Sequence, residues 1–144
     1  MCGIGGIYMV GNDLLPTVQT EAMFKALDDR GGHASGVAWL WHDSDELLVF
    51  KGARTATSIS SQMFKKIGSQ VRYAMFHTRY TTKGSTSYNG NNHPIVGHGI
   101  TLTHNGVLRN DNQVFRSLGV RRLHEVDSEA INAVLSVDGV ESLP

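Results

Sequence analysis

The sequence has one cysteine and three prolines among its 144 residues, and it has no excess of either charge. One cysteine, Cys2, cannot form a disulfide within the chain, so a reducing compartment such as the cytoplasm is expected. Lysine plus arginine total 13, as do aspartate plus glutamate. This balance argues against nucleic acid and against an anionic membrane surface as partners. No apolar run approaches the roughly 18 residues of a membrane span, so no membrane segment is predicted.

Short apolar runs separated by polar and glycine-rich stretches predict a single α+β domain over residues 1–144. Hairpin-like spacing and the lack of a regular strand–helix–strand repeat favour a largely antiparallel sheet with helices packed on it. Strands are predicted at residues 4–10, 37–41, 47–51, 72–78 and 95–104, with a long polar loop at 80–92. Helices are predicted from Thr17, over residues 58–66, from Asn110 or Asp111, and from Asp127 or Ser128.

Apolar spacing also predicts which face of each helix is buried. In the first helix the predicted buried residues are Val18, Ala22, Met23, Ala26 and Leu27. In the second helix they are Met63, Phe64 and Ile67, and in the last helix they are Ile131, Val134 and Leu135. In the strand at 95–104, strict alternation places on one face His98, Ile100, Leu102 and His104.

Cys2 stands out because removal of Met1 would leave it with a free α-amino group. A thiolate is the reactive form of cysteine and requires a base to form at neutral pH. An α-amino group has a reference pKa of roughly 7.7–8.0, near the roughly 8.5 of a thiol, so the two groups could exchange a proton. Cys2 is therefore a candidate nucleophile that carries its own base. The alternative is an inert buried cysteine, which is a common environment for this residue.

Three clusters of polar residues and glycines lie downstream of Cys2. The segment from Arg30 to Gly36 joins a helix to a strand, and it is also typical of a simple helix C-cap. The segment His77–Pro94 places an arginine, hydroxyls and a lysine where a strand opens into a loop. This arrangement suits an α-amino acid carboxylate, and a solvated polar loop is the alternative. His104-Asn105-Gly106 is either a turn or a pair of N–H donors for an oxyanion.

One ordered series of motifs connects these clusters: Cys2, Arg30-Gly31-x-x-x-Ser35-Gly36, His77-Thr78-Arg79-Tyr80-x-Thr82, Asn92-His93-Pro94, His104-Asn105-Gly106 and Asp127-Ser128-Glu129. The series resembles the glutaminase domain of the class II glutamine amidotransferases, which are N-terminal nucleophile hydrolases. The resemblance runs from residue 2 to about residue 135. It implies an αββα sandwich of mostly antiparallel sheets and a cytoplasmic, glutamine-hydrolysing enzyme that needs no metal or organic cofactor.

The resemblance also implies a role for each matching residue. The thiol would attack the side-chain amide of glutamine and form a thioester, so that ammonia leaves first and glutamate follows. The residues implied in catalysis are Cys2, Asn105 and Gly106, the last two as the oxyanion hole. The residues implied in binding the substrate α-carboxylate and α-amino group are Arg79, Thr82 and Asp127. Those implied to support the site are Arg30, Tyr80 and His93.

The sequence departs from the family pattern in several places. Lys83 stands where synthase-linked members often have histidine, and Tyr80 replaces a more frequent tryptophan. Family domains continue with further strands beyond the last helix, so the resemblance implies that this chain is truncated at its C-terminus. Because an unpaired sheet edge is a liability, association is expected, either with a separate synthase or transferase subunit or with a second copy. No phosphate-binding Gly-x-x-x-x-Gly-Lys motif occurs that could serve an ammonia acceptor.

Two other functions remain open on the sequence. A non-catalytic relative could keep the shape of the site for binding or structural use, and retention of Met1 would favour it because a blocked amine is no base. A metal site could combine Cys2 with some of His77, His93, His98 and His104. Zinc needs three or four converging ligands, and these residues have no compact metal-binding spacing.

Overall fold

The computed structural model describes residues 1–139. Its strands are β1 (Gly3–Tyr8), β2 (Ala34–Trp41), β3 (Leu48–Gly52), β4 (Val71–Arg79), β5 (Ile95–Gly97) and β6 (Ile100–Leu102). Its α-helices are α1 (Thr17–Ala26), α2 (Ala56–Ile67), α3 (Asp111–Leu118) and α4 (Glu129–Asp138). Short 3₁₀ turns lie at Leu27–Asp29 and Asn89–Asn91. Among the helices of residues 1–139, none has the length and apolar character needed to cross a bilayer.

A four-stranded antiparallel sheet forms the centre of the fold, in the order β1–β4–β2–β3. β5 and β6 form a separate two-stranded antiparallel sheet. These features confirm the predicted α+β class with antiparallel sheets. β1 pairs with β4 so that Gly3 lies opposite Thr78. The amino terminus is therefore brought to the end of β4 that carries Arg79.

Helices α1 and α2 cover one face of the four-stranded sheet. Phe76 of β4 packs between Phe24 and Phe64, with ring centroids 5.3 and 6.1 Å away. The predicted apolar face of α2 is buried in this layer, as Met63 and Ile67 show. Full burial of a large apolar side chain contributes about 1.5–3 kcal/mol, so this layer supplies much of the driving force for folding.

The other face of β4 meets the segments that flank the β5–β6 hairpin. His77 of β4 stacks on His93 with ring centroids 4.1 Å apart, and its Nε2 donates to the carbonyl oxygen of His104 at 3.1 Å. Helix α4 lies against the hairpin, where Asn132 donates to the carbonyl oxygens of Gly97 and Ile100 at 3.1 and 2.9 Å. The layers thus follow the order helix, sheet, sheet, helix, which agrees with the αββα arrangement that the resemblance implies.

The predicted single strand at 95–104 is wrong, because the chain turns back at His98-Gly99. These two residues have φ of 54° and 75°, the left-handed pair that a type I′ hairpin turn requires. Glycine adopts this region freely, whereas histidine does so rarely. His98 is held there by Glu129, whose Oε1 lies 3.0 Å from His98 Nε2. The chain therefore lacks the continuous strand face that was to carry His98, Ile100, Leu102 and His104.

The predicted buried face of α1 is partly wrong. The exposed members of that face are Val18, Ala22 and Ala26, whereas Met23 and Leu27 are half-buried. The fully buried residues are Thr20 and Phe24. Burial of Thr20 is tolerated because its hydroxyl donates to the carbonyl oxygen of Pro16 at 2.8 Å. Pro16 also takes the N-cap position that was predicted for Thr17.

The predicted inward face of α4 is wrong as well. The residues expected there are only half-buried: Ile131, Val134 and Leu135. They border a groove of about 230 Å³ between α3 and α4. The fully buried positions are instead Glu129 and Asn132, together with two alanines. Burial of Glu129 is possible because its carboxylate accepts hydrogen bonds from the N–H groups of Leu123 and His124, each at 2.6 Å.

Candidate active site

The residues singled out from the sequence converge at one end of the four-stranded sheet. Because β1 and β4 are antiparallel, Cys2 just before β1 lies beside Arg79 at the end of β4. The segments 80–83, 104–106 and 126–128 complete the rim of a cavity of about 20 Å³. Its lining includes Cys2, Arg79, Tyr80, Thr82, His93, Gly106 and Asp127.

Cys2 is a free, half-buried thiol held by backbone groups on two sides. The Tyr80 N–H donates to Cys2 Sγ at 3.3 Å, and Sγ lies 3.6 Å from the Tyr80 carbonyl oxygen. The Arg30 Nε donates to the carbonyl oxygen of Cys2 at 3.1 Å. The backbone of Tyr80 thus supplies both hydrogen-bonding partners of the sulfur. The structure thus places Arg30 against the backbone of Cys2.

Arg79 is 3% exposed and is anchored by the loop that follows it. Its Nη1 donates to Asn92 Oδ1 at 3.1 Å, and its Nη2 donates to the carbonyl oxygens of segment 83–84. Burial lowers the pKa of Arg79, and attraction to the sulfur of Cys2 and the carboxylate of Asp127 opposes this effect. A guanidinium has five N–H groups, so donors remain for a carboxylate that enters the cavity.

Asp127 is 4% exposed and lies across the cavity from Arg79. Its Oδ2 accepts the Leu108 N–H at 2.6 Å, which ties down the segment that follows Asn105 and Gly106. Ser128 rather than Asp127 occupies the N-cap position of α4, and no side chain caps the helix there. Oδ1 of Asp127 accepts no hydrogen bond within residues 1–139. One carboxylate oxygen therefore remains for an ammonium group.

Asn105 and Gly106 lie at the mouth of the site. With Cys2 and Met1 they border an outer cleft of about 410 Å³ that adjoins the small cavity. A Cβ on Gly106 would lie 2.6 Å from His104 Nε2, so the turn passes too close to the imidazole ring for a side chain. Gly106 lines both spaces, whereas Asn105 borders the outer cleft.

Thr82 and Tyr80 belong to the loop between the small cavity and the outer cleft. Thr82 lines both the small cavity and the outer cleft, and its hydroxyl makes no hydrogen bond within residues 1–139. The Tyr80 ring is 51% exposed and stacks on His33 with ring centroids 4.8 Å apart. The two side chains are therefore placed to meet a ligand that enters from the cleft.

A layer of histidines lies behind the cavity. Ser128 Oγ is 3.2 Å from His93 Nε2 and 3.0 Å from His104 Nδ1, so one hydroxyl joins the two rings. Burial lowers the pKa of His77 to about 4. Burial, with the neighbouring positive groups, also holds the pKa of His93 well below its usual range. Both rings are neutral at pH 7 and form an uncharged floor for the site.

An ion-pair cluster fixes the loop through Lys83. Lys83 Nζ and Arg122 Nη2 both bind Oδ2 of Asp111, the buried first residue of α3. Burial raises the pKa of Asp111, and the hydrogen bonds from Lys83 and Arg122 outweigh it, so the pKa is lowered. Lys83, which departs from the family pattern, thus ties the loop to α3.

The histidines that the metal alternative invokes have other partners. His98 is bonded to Glu129, and His77 and His93 are stacked on each other. Across residues 1–139, no three histidine, cysteine, aspartate or glutamate side chains are grouped so as to hold a metal ion.

Several residues that hold the site escaped the sequence reasoning. Ser128 was considered only as a helix cap, although its place in Asp127-Ser128-Glu129 put it beside a candidate binding residue. His33 lies within the Arg30–Gly36 cluster but was given no role. Lys51 of β3 donates to the carbonyl oxygens of Asn92 and Pro94, each at 2.7 Å. No local signal could reveal this contact, because the acceptors lie 41 and 43 residues away along the chain.

The chain is similar to a set of curated proteins, while no protein-family model matches it. A glutamine–fructose-6-phosphate aminotransferase (isomerizing) from Xylella fastidiosa is 31% identical over 134 residues, which is 93% of this chain and 19% of the relative. The proteins of that name from Sulfurisphaera tokodaii and Sulfolobus acidocaldarius are 31% and 32% identical over 136 residues, 91% of this chain and 22% of each relative. The chain therefore spans about a fifth of the length of these relatives.

Proposed function

The chain belongs to the class II glutamine amidotransferases, and we propose that it is a glutaminase whose nucleophile is Cys2. The observation that supports this proposal is the convergence of Cys2, Arg79 and Asp127 on one cavity. A thiol, a buried cation and a buried carboxylate there match the three parts of glutamine: the side-chain amide, the α-carboxylate and the α-ammonium. The names of the relatives, which describe transfer from glutamine, support the same substrate.

The proposed reaction proceeds through an acyl-enzyme. After removal of Met1, the α-amino group of Cys2 takes the thiol proton, and Sγ forms a bond to the amide carbon of glutamine. The oxyanion accepts hydrogen bonds from the Asn105 side chain and the Gly106 N–H. The α-ammonium group then returns the proton to the leaving nitrogen, the C–N bond breaks, and ammonia departs. Water attacks the thioester, which releases glutamate and restores the thiol.

Substrate binding in this proposal requires the loop at residues 80–84 to shift. The small cavity of about 20 Å³ has room for about one water molecule, far less than glutamine needs. The outer cleft of about 410 Å³ is larger and opens onto Cys2. Glutamine would enter from the cleft, and displacement of Thr82 would join the two spaces. The α-carboxylate could then reach the N–H groups of Arg79 that the loop leaves free, with the Thr82 hydroxyl as a further donor.

The acceptor of the ammonia lies outside the residues that carry the site. In this proposal a separate synthase or transferase, or another part of a longer assembly, uses the ammonia. The names of the relatives make a sugar phosphate the first acceptor to test. A catalytic free thiol also suits a reducing compartment, so we place the protein in the cytoplasm.

Glutamate release from glutamine tests the proposal, with Cys2→Ala and Arg79→Lys as variants. Cys2→Ala should abolish release, because it removes the only thiol in the sequence. Arg79→Lys should raise KM roughly ten- to a hundredfold, since a fork of charged hydrogen bonds is lost and each contributes about 1.5–3 kcal/mol. Arg72→Lys on the same strand is the matched control, because Arg72 pairs only with the exposed Asp45 at 3.8 Å.

The outcomes separate the parts of the proposal. Glutamate release that persists in Cys2→Ala would end the glutaminase assignment. An unchanged KM in Arg79→Lys would leave the nucleophile in place and refute the carboxylate site. Purified protein that retains Met1 and is inactive would favour a non-catalytic relative that only binds glutamine.

A further inference from the structure

His33 is a solvent-exposed residue whose ring and backbone N–H both contact the segment at residues 79–81. Its Nδ1 accepts the Thr81 N–H at 3.0 Å, and its ring stacks on Tyr80 at a tilt of 30°. The His33 N–H donates to the carbonyl oxygen of Arg79 at 3.0 Å. Three successive residues at the end of β4 are therefore held by this one side chain and its backbone.

The same segment, residues 79–81, contacts the thiol of Cys2 through Tyr80. The Tyr80 N–H is the donor to Cys2 Sγ, and the next N–H along the chain, that of Thr81, is the one that His33 fixes. These two N–H groups lie on successive peptide planes that meet at the Cα of Tyr80, so fixing the plane of the Thr81 N–H limits how far the Tyr80 N–H can turn. The close fit extends to Gly31, where a Cβ would lie 2.7 Å from the Tyr80 nitrogen.

We propose that His33 is a positioning residue that holds the Tyr80 N–H on the sulfur of Cys2. This inference rests on the proposed function, because it assigns the N–H to the nucleophile of that reaction. The hydrogen bond requires the neutral ring with its proton on Nε2, since a protonated imidazole has no acceptor. Arg79 has separate anchors in Asn92 and segment 83–84, so His33 acts on the nucleophile more than on the carboxylate site.

Two substitutions separate the hydrogen bond of His33 from its ring contact. His33→Phe keeps a ring over Tyr80 and removes the acceptor for the Thr81 N–H. His33→Asn loses the ring but places an amide oxygen near the position of Nδ1. The matched control is His42→Phe, because His42 is half-buried just beyond the far end of β2, and within residues 1–139 its ring is bonded to the Asp13 carbonyl oxygen and not to the site.

Two measurements on protein that lacks Met1 test the proposal. The first is the rate of Cys2 alkylation by iodoacetamide at pH 7, which follows the reactive thiolate and needs no glutamine turnover. The second is kcat and KM for glutamine. His33→Phe should slow alkylation and lower kcat by roughly five- to tenfold while KM changes less than about twofold. His33→Asn should recover most of both rates, and His42→Phe should match the wild type.

The proposal is overturned if His33→Phe alkylates and turns over like the wild type. It is equally overturned if His33→Asn loses as much as His33→Phe, because stacking rather than the hydrogen bond would then matter. Failure of the glutaminase assignment itself has a different signature: no variant releases glutamate. In that case the alkylation rates still decide whether His33 acts on the sulfur.

Discussion

Ser128→Ala should weaken both the fold and the proposed catalytic site, because one hydroxyl serves the rings of one buried and one half-buried histidine. Ser128 Oγ lies 3.2 Å from His93 Nε2 and 3.0 Å from His104 Nδ1. Alanine removes the partner of both nitrogens without adding bulk. A buried polar group that is left unpaired costs about 1–3 kcal/mol, and partial access of His104 to water reduces its share. We therefore expect a loss of about 2–4 kcal/mol in the free energy of unfolding.

The same change should lower kcat through His104. This ring packs against Gly106, where a Cβ would lie 2.6 Å from Nε2, so a shift of the ring should also move the proposed oxyanion donor. Complete loss of an oxyanion donor costs on the order of 10²–10³ in kcat. Loss of the tether that holds the donor should cost less, roughly tenfold. KM should change little, because the side chains of Arg79 and Asp127 are held by hydrogen bonds to groups other than Ser128.

Urea unfolding at pH 7, followed by far-ultraviolet circular dichroism, measures the stability change, and glutamate release measures kcat. Ser136→Ala is the matched control, since Ser136 lies on the same helix and bonds only to the Ala133 carbonyl oxygen. The control should stay within about 0.5 kcal/mol of the wild type. Equal stability and equal kcat in Ser128→Ala and Ser136→Ala would refute the bridging role of Ser128.

Two further predictions concern the buried histidines and the oxyanion turn. Burial lowers the pKa of His77 to about 4, so between about pH 6.5 and 4 the unfolded chain binds more protons than the folded chain. The free energy of unfolding should therefore fall as the pH falls through that window, by about 2 kcal/mol at pH 5. Urea midpoints at pH 7 and 5 check this, and an equal pH response in His77→Gln would contradict it. Gly106→Ala should lower kcat at least about tenfold, because its Cβ would displace the His104 ring. Gly52→Ala, with open space around the added Cβ, should leave kcat unchanged, and an active Gly106→Ala would show that the turn tolerates a side chain.

The sequence was informative where hydrophobic burial decides structure. The strand at β4 and the apolar face of α2 follow directly from the spacing of large apolar residues, as Phe76 and Met63 illustrate. Motif order also brought Cys2, Arg79 and Asp127 into one group, and the structure places them around one cavity.

Polar interactions between distant segments account for most of what the sequence could not predict. Helix α4 turns Glu129 and Asn132 inward because their partners are backbone groups of other segments, so apolar periodicity pointed to the wrong face. The hairpin at His98-Gly99 was missed for a related reason, since Glu129 holds a histidine in a conformation that it rarely adopts alone.

The positions of the supporting residues around the site were equally hidden. His33 acts on Thr81 from 48 residues away, and Lys51 reaches the backbone of residues 92 and 94 across the sheet. Their roles depend on register between strands and loops, which local composition does not encode.

The central claim is that Cys2, freed of Met1, is the nucleophile, and intact mass spectrometry tests it most directly. Protein incubated with glutamine and quenched in acid should lack Met1. A fraction of it should also carry the added mass of glutamine minus ammonia, located on Cys2 by peptide mapping. The same treatment of Cys2→Ala should give no adduct. Active protein that retains Met1, or an adduct that persists in Cys2→Ala, would contradict the assignment of Cys2.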